Sequence, residues 1–166
     1  MFKSLKEKFS KKGNEDIFVL SPLEGEAVPM NTVNDPTFAG EMLGKGIAIK
    51  PSVGRVIAPI DGEISILFET KHALSIVGEN GVELLIHIGL DTVNLKGEYF
   101  VAHAKTGDKV KAGDLLLEFD MKKIREAGYD IITPVIVCNT LEFADVKESV
   151  LGQVKELDKI IEVVKK

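Results

Sequence analysis

Two of the three histidines in this 166-residue chain, His72 and His87, flank Asn80-Gly81, the strongest hairpin signal in the sequence. An imidazole can serve as nucleophile, general base, donor to an anion or metal ligand, so two on one surface would form a reactive pair. Their placement follows from the loop between them. A two-residue loop at Asn80-Gly81 sets His87 opposite Leu74 and diagonal to His72, whereas a four-residue loop from Gly78 to Gly81 sets His72 directly opposite His87. Both even-length loops put the imidazoles on the same face, and only an odd-length loop separates them. That face then carries Phe68, Thr70, His72, Leu74 and Ile76 on one strand and Leu85, His87, Gly89 and Asp91 on the other. The opposite face, with Ala73, Val77, Val82, Leu84, Ile86 and Ile88, is the expected core.

A surface mixing two histidines with Phe68, Leu74, Ile76 and Leu85 is too apolar for an ordinary solvent face and too polar at its centre for an ordinary core. A docking surface around a reactive pair explains it, with a hydroxyl and a carboxylate close at hand. The plainer alternative is one buried, hydrogen-bonded histidine and one incidental histidine. A metal centre is the other chemical reading. Its third ligand would have to be His103 or Asp91, and neither His-x-Glu nor His-Glu-x-x-His occurs, so no intrinsic metal site is expected. His103 lies ahead of Gly107 on another strand and reads as structural or exposed.

The elements that must hold this pair are strands. From Ile17 to Asp120 the apolar segments are short, rich in Val and Ile, and ended by Gly, Asp, Asn or Pro. Turns at Asp61-Gly62, Asn80-Gly81, Lys96-Gly97, Gly107-Asp108 and Gly113-Asp114 leave no room for long helices. One helical turn is expected at Met121 to Ala127, stopped by Gly128. At the C-terminus, Val150, Val154, Leu157, Ile161 and Val164 have helical spacing, while Ile160 to Val164 also suits a closing strand. Ser21-Pro22-Leu23-Glu24-Gly25-Glu26 recurs as Ala58-Pro59-Ile60-Asp61-Gly62-Glu63, which implies an internal duplication. The turn-strand-turn from Gly107 to Leu115 is of the kind seen in biotinyl and lipoyl domains, but the nearest carrier-lysine match, Asp120-Met121-Lys122-Lys123, is poor. The expected fold is an all-β antiparallel sandwich or barrel-sandwich hybrid, duplicated, with short helical turns.

Composition narrows the function classes. A net charge of −5 argues against a phosphate-binding nucleic-acid surface. A single cysteine, Cys138, excludes an internal disulfide and fits a reducing compartment. No apolar run is long enough to span a bilayer, and no signal-peptide core follows the basic N-terminus. Residues 1–12 carry a local +4, leaving −9 on the rest. With Met1, Phe2, Leu5 and Phe9 at roughly helical spacing, residues 1–16 read as a basic tail, either solvated or an amphipathic helix touching anionic lipid, ahead of one domain at 17–166. The expected location is cytoplasmic, with peripheral contact at the membrane through that tail.

Phe68-Glu69-Thr70-Lys71-His72-Ala73, Gly81 to Val93 with its Leu-x-His-x-Gly-x-Asp-Thr-Val stretch, and Gly46-Ile47-Ala48-Ile49-Lys50-Pro51 closely resemble glucose-class enzyme IIA of the phosphoenolpyruvate-dependent sugar phosphotransferase system. Ala58-Pro59-x-x-Gly62, Asp35 to Phe38, Gly107 to Gly113 and Thr133-Pro134-Val135 match in order, so the resemblance spans nearly the whole chain and fits a standalone IIA. It implies that His87 accepts a phosphoryl group from the phosphocarrier HPr and passes it to a cysteine of enzyme IIB, the group being carried covalently with no cofactor. It further implies that His72, oriented by Thr70, stabilises the phosphoryl oxygens, and that a backbone carbonyl near Gly89 holds the second nitrogen of His87. The docking rim it implies is Thr37, Phe38, Met42, Leu43, Phe68, Leu74, Ile76, Leu85 and Val93, with Asp35 and Asp91 facing basic partners. Regulatory targets outside the transport system, and an intermolecular zinc site joined by His72 and His87, are further expectations of the resemblance. Two competing readings remain. A metallopeptidase on a related duplicated fold would need a His-x-His pair where this chain has His87-Ile88-Gly89, and a non-enzymatic regulatory binder would share the docking face without phosphate.

Overall fold

Short runs of Val and Ile between turn residues can pair edge to edge but cannot sustain a long helix. The computed structural model, which describes residues 16–166, is built accordingly. Its strands are β1 (Ile17–Leu20), β2 (Gly25–Pro29), β3 (Lys45–Pro51), β4 (Arg55–Ile57), β5 (Gly62–Leu67), β6 (Ala73–Gly78), β7 (Glu83–His87), β8 (Phe100–Ala102), β9 (Lys109–Val110), β10 (Leu115–Phe119), β11 (Thr133–Val137), β12 (Asp145–Glu148), β13 (Gly152–Val154) and β14 (Lys159–Val164). The helices are single short turns, α1 (Pro36–Ala39) and α2 (Met121–Glu126), the latter capped by Asp120 and followed by Gly128 at φ +95°. Among the described residues none is long and apolar enough to cross a membrane. The expectations for the basic N-terminal segment lie outside the described residues.

An eight-stranded antiparallel sheet runs β13-β2-β3-β11-β7-β6-β5-β9, and two three-stranded sheets, β1-β14-β12 and β4-β10-β8, complete the sandwich. Because side chains alternate along a strand, Ile47, Ile49, Leu74, Ile76, Leu84 and Ile86 point from the large sheet into the main core, where Leu116, Leu117, Ile160 and Ile161 join them. The intervening residues Ala48 and Ile136 serve a smaller cluster on the other face with Met30, Val33, Phe38, Leu90 and Ile132. Of the two C-terminal readings the strand holds. Buried β-branched Ile160, Ile161 and Val163 pair through β14 with both β1 and β12, which a helix could not do.

The repeated Ser/Ala-Pro segments occupy equivalent places. Leu20 N donates to the Pro59 carbonyl (3.1 Å) and Ile57 N to the Pro22 carbonyl (2.9 Å), a reciprocal exchange that pins the two copies across each other. Each copy is closed by a matching turn, in which Asp114 accepts from Lys111 N and Asp158 from Lys155 N. Asp114 and Asp158 carbonyls in turn accept from Ala58 N and Ser21 N.

The hairpin between β6 and β7 departs from both expected registers. Ala73 faces His87, Leu74 faces Ile86 and Val77 faces Glu83, with Gly78 N donating to the Val82 carbonyl, so the loop Glu79–Gly81 is odd in length. Gly81 at φ +89° completes a turn followed by a left-handed residue, the usual three-residue hairpin, in place of a two-residue Asn-Gly turn. The consequence is a change of face for part of β6. Leu74 and Ile76, expected on the docking rim, are 0% and 1% exposed in the main core, while Val77, expected in the core, is exposed, and Ala73 is buried as expected although it pairs with His87.

Candidate functional site

With this register, strict alternation would put His72 and His87 on opposite sides of the sheet. They nonetheless meet, with ring centroids 4.9 Å apart and planes at 84°. The pleat does not extend to His72. β6 begins at Ala73, and Phe68 to Lys71 form a turn in which Lys71 N donates to the Phe68 carbonyl and Lys71 adopts a left-handed φ of +58°. That turn redirects His72, whose own carbonyl still accepts from Ile88 N (2.7 Å). The separation expected of an odd loop is therefore undone at the strand end.

Each imidazole is held at Nδ1. His87 Nδ1 lies 2.7 Å from the Gly89 carbonyl oxygen. Since a carbonyl only accepts, Nδ1 carries the proton, and a neutral His87 presents the lone pair of Nε2. His72 Nδ1 lies 2.7 Å from Thr70 Oγ1. When the hydroxyl donates there the proton sits on Nε2, and His72 can then offer a donor where His87 offers a base. Both rings are kept neutral at ordinary pH. Burial, and then the proximity of His87, lower the His72 pKa to about 4. Burial lowers that of His87 as well, opposed by the Gly89 carbonyl and by the charges of Asp35 and Asp91.

Packing fixes the rings in place. The Phe38 ring lies 4.9 Å from His87 and the Phe68 ring 5.5 Å from His72, nearly perpendicular to it. Phe38 is only 6% exposed, so it supports His87 and the small core cluster more than it presents a surface. Asp35 caps α1 by accepting from Thr37 N (3.0 Å), which holds a carboxylate near the pair. The other expected rim residues divide by burial. Thr37, Met42, Leu43, Phe68, Asp91 and Val93 are exposed, Met42 by 75%, and Leu85 is half-buried beside His87. His103 is apart from the pair, bonded to Glu118 at 2.9 Å. Among the described residues no group of three or more His, Cys, Asp or Glu is arranged to hold a metal ion.

Sequence reasoning missed the layer behind Gly89. Gly89 N donates to the Ile132 carbonyl (3.1 Å) and Leu90 N to the Asp130 carbonyl (3.0 Å), so the segment before β11 positions the carbonyl that positions His87. Gly89 has φ +79°, and a Cβ there would lie 2.6 Å from Thr92 Cγ2 and 2.7 Å from the Asp130 carbonyl oxygen. Thr92, fully buried, donates its hydroxyl to the Ile88 carbonyl and Asp91 takes a left-handed φ of +58°. The Gly-x-Asp-Thr run was the available signal, since glycine and aspartate tolerate left-handed backbone and a buried threonine must find an acceptor.

Residues 17–143 match the family described as phosphoenolpyruvate-dependent sugar phosphotransferase system, EIIA 1. A glucose-specific EIIA component of this system from Oceanobacillus iheyensis is 50% identical over 147 residues, covering 89% of this chain and 88% of the relative. A beta-glucoside-specific EIIBCA component from Bacillus subtilis is 49% identical over 146 residues, 87% of this chain but 24% of that longer protein. Among solved structures, glucose permease IIA from Mycoplasma capricolum superposes with a TM-score of 0.85 at 35% identity, over 90% of this chain and 97% of the other. With a duplicated β-sandwich that brings His72 and His87 together, and with these matches along nearly its full length, the chain belongs to the EIIA family of the phosphoenolpyruvate-dependent sugar phosphotransferase system.

Proposed function

We propose that His87 is the phosphoryl acceptor and that this chain relays the group from the histidine of HPr to a cysteine of an enzyme IIB. The observation that carries the reading is the 2.7 Å bond from His87 Nδ1 to the Gly89 carbonyl, which leaves Nε2 unprotonated and aimed away from the backbone that grips the ring. In the first transfer the Nε2 lone pair attacks phosphorus, a new N–P bond forms, and the N–P bond to the HPr imidazole breaks with its electron pair returning to that ring. In the second the IIB thiolate attacks the same phosphorus, an S–P bond forms, and His87 regains its lone pair. Phosphoryl transfer of this kind asks the protein for in-line positioning and charge stabilisation. With its proton on Nε2, His72 supplies a donor to the phosphoryl oxygens, and Thr70 is the positioning residue that orients its ring. No cofactor enters the proposed steps.

Docking fits the same surface. Phe68 packs on the His72 ring and Met42, Leu43 and Val93 are exposed apolar residues that would complete a docking rim, while Asp35 and Asp91, whose charges act on His87, would speed encounter with basic partners. The relative named an EIIBCA component supports IIB as the receiving partner. The test is incubation with phosphoenolpyruvate, enzyme I and HPr, followed by intact mass. One phosphoryl group should add to the wild-type chain and none to His87→Ala; an undiminished adduct on the variant would remove His87 from the relay.

A further inference from the structure

Outside the histidine pair, a cleft of about 310 Å³ opens among Thr32, Asn34, Lys50, Arg125, Asp130 and Ile132. Its volume falls at the lower end of the range for small-molecule sites, about 300–1,000 Å³. Two of its lining side chains are cationic. Neither Lys50 nor Arg125 forms an ion pair with a described residue, so both charges are available to a ligand. Asp130 contributes the one carboxylate, and its Oδ1 is already engaged by Ile132 N at 2.9 Å, leaving Oδ2 as an acceptor. Thr32 donates its hydroxyl hydrogen to the Pro29 carbonyl, so its oxygen is likewise left to accept. The cleft thus combines an excess of positive charge with neutral and anionic acceptors.

We infer that this cleft binds a small phosphorylated polyhydroxy compound, a sugar phosphate in chemical class, with its phosphate on Arg125 and Lys50 and its hydroxyls on Asp130, Asn34 and Thr32. The guanidinium fork matches phosphate geometry and the ammonium adds a second charge-assisted contact. A bare phosphate would satisfy the cations but leave Asp130, Asn34 and Thr32 without a partner in the ligand. A neutral sugar would satisfy the acceptors but not the cations. Only a ligand carrying both groups uses the whole lining.

The cleft also touches the supports of His87 on two sides. Asp130 and Ile132 present the carbonyls that accept from Leu90 N and Gly89 N, and Gly89 accepts from His87 Nδ1. Asn34 precedes Asp35, the cap of α1, whose Phe38 packs on the His87 ring. A ligand gripping Asp130 and Asn34 therefore bears on the carbonyl and the ring that hold the acceptor histidine. Binding stands independently of the proposed relay, and only this consequence for His87 rests on it.

The experiment is a titration of the ¹⁵N-labelled full chain with glucose 6-phosphate, glucose and inorganic phosphate in parallel, followed by amide and imidazole chemical shifts. Saturable shifts are expected with glucose 6-phosphate at Asn34, Arg125, Asp130 and Ile132, extending to Gly89 and to the His87 ring. Glucose or inorganic phosphate alone should bind at least about tenfold more weakly, as should glucose 6-phosphate to Arg125→Gln or Lys50→Gln. Both substitutions are at exposed positions, and an unchanged spectrum elsewhere verifies the fold. His87→Ala should still bind, which separates failure of this site from failure of the relay. No saturable shift, equal binding of inorganic phosphate, or undiminished binding by both variants would overturn the proposal. Shifts confined to the cleft, with Gly89 and His87 unmoved, would overturn the link to the histidine.

Discussion

The two histidines differ in which atom each Nδ1 meets. His87 meets a carbonyl, which fixes its proton on Nδ1, whereas His72 meets a hydroxyl, which can give a proton as well as take one. His72→Gln should therefore still allow His87 to accept phosphate, because an amide can replace the hydrogen bond, yet pass it slowly to IIB because an amide cannot take up a proton as charge moves. Single-turnover transfer to IIB measures this, and a normal rate would leave His72 without a part in the step. Burial of His72 has a second consequence. Its pKa of about 4 lies below the ordinary 6.5, so between those values the unfolded chain binds a proton that the folded chain refuses. Stability is then full above pH 6.5 and falls as pH drops toward 4, by at most about 1.4 kcal/mol per pH unit for this group. Urea midpoints across that window should show the slope for wild type and a flatter one for His72→Gln.

At the scale of elements, the three-residue loop Glu79–Gly81 decides which side of β6 is surface. Leu74→Ala should cost about 2–5 kcal/mol, as for a buried leucine, with transfer rates following only the folded fraction. Met42→Ala, at a position 75% exposed, should change stability by less than about 0.5 kcal/mol yet slow transfer from HPr. Denaturant unfolding beside transfer kinetics separates the two, and an inexpensive Leu74→Ala would return that residue to the rim. The Gly89 turn is the other deciding element. Gly89→Ala adds a Cβ at φ +79° against Thr92 and the Asp130 carbonyl, and left-handed backbone alone costs an alanine roughly 1–2 kcal/mol. Loss of about 2 kcal/mol or more is expected, with phosphorylation impaired beyond the loss of folded protein, because the carbonyl that holds His87 shifts. Intact mass at matched folded fractions checks the second part.

For the whole molecule, the duplicated Pro-x-x-Gly-Glu segments are the joint of the sandwich. Their reciprocal hydrogen bonds, Leu20 to Pro59 and Ile57 to Pro22, tie β1 to the segment before β5 and β4 to the segment before β2. Gly25 and Gly62 sit at matching points, and a Cβ on either would strike backbone, at the Lys50 carbonyl and the Val77 carbonyl respectively. Gly25→Ala and Gly62→Ala should therefore destabilise similarly and leave unfolding a single transition, since one core spans both copies. Two resolved transitions in calorimetry would show instead that the copies fold as separate units.

Sequence alone determined the strand-rich class, the helical turn before Gly128 and the duplication, and it singled out His72, His87 and the Gly-x-Asp-Thr run as the candidate site, because each rests on local chemistry: β-branched runs, turn residues, imidazoles and left-handed backbone. The three-dimensional arrangement decided what depended on distant partners. Asn80-Gly81 is compatible with loops of either parity, and the core's demand for Leu74 and Ile76 chose the odd one. Alternation along β6 could not foresee that a left-handed Lys71 ends the pleat and turns His72 back to His87. Nor could it place the Asp130 and Ile132 carbonyls behind Gly89, because hydrogen bonds between residues some forty positions apart leave no periodic trace in the chain. A strand's pattern records which of its faces is apolar, but only packing against the rest of the molecule determines which face meets the core and where the strand stops.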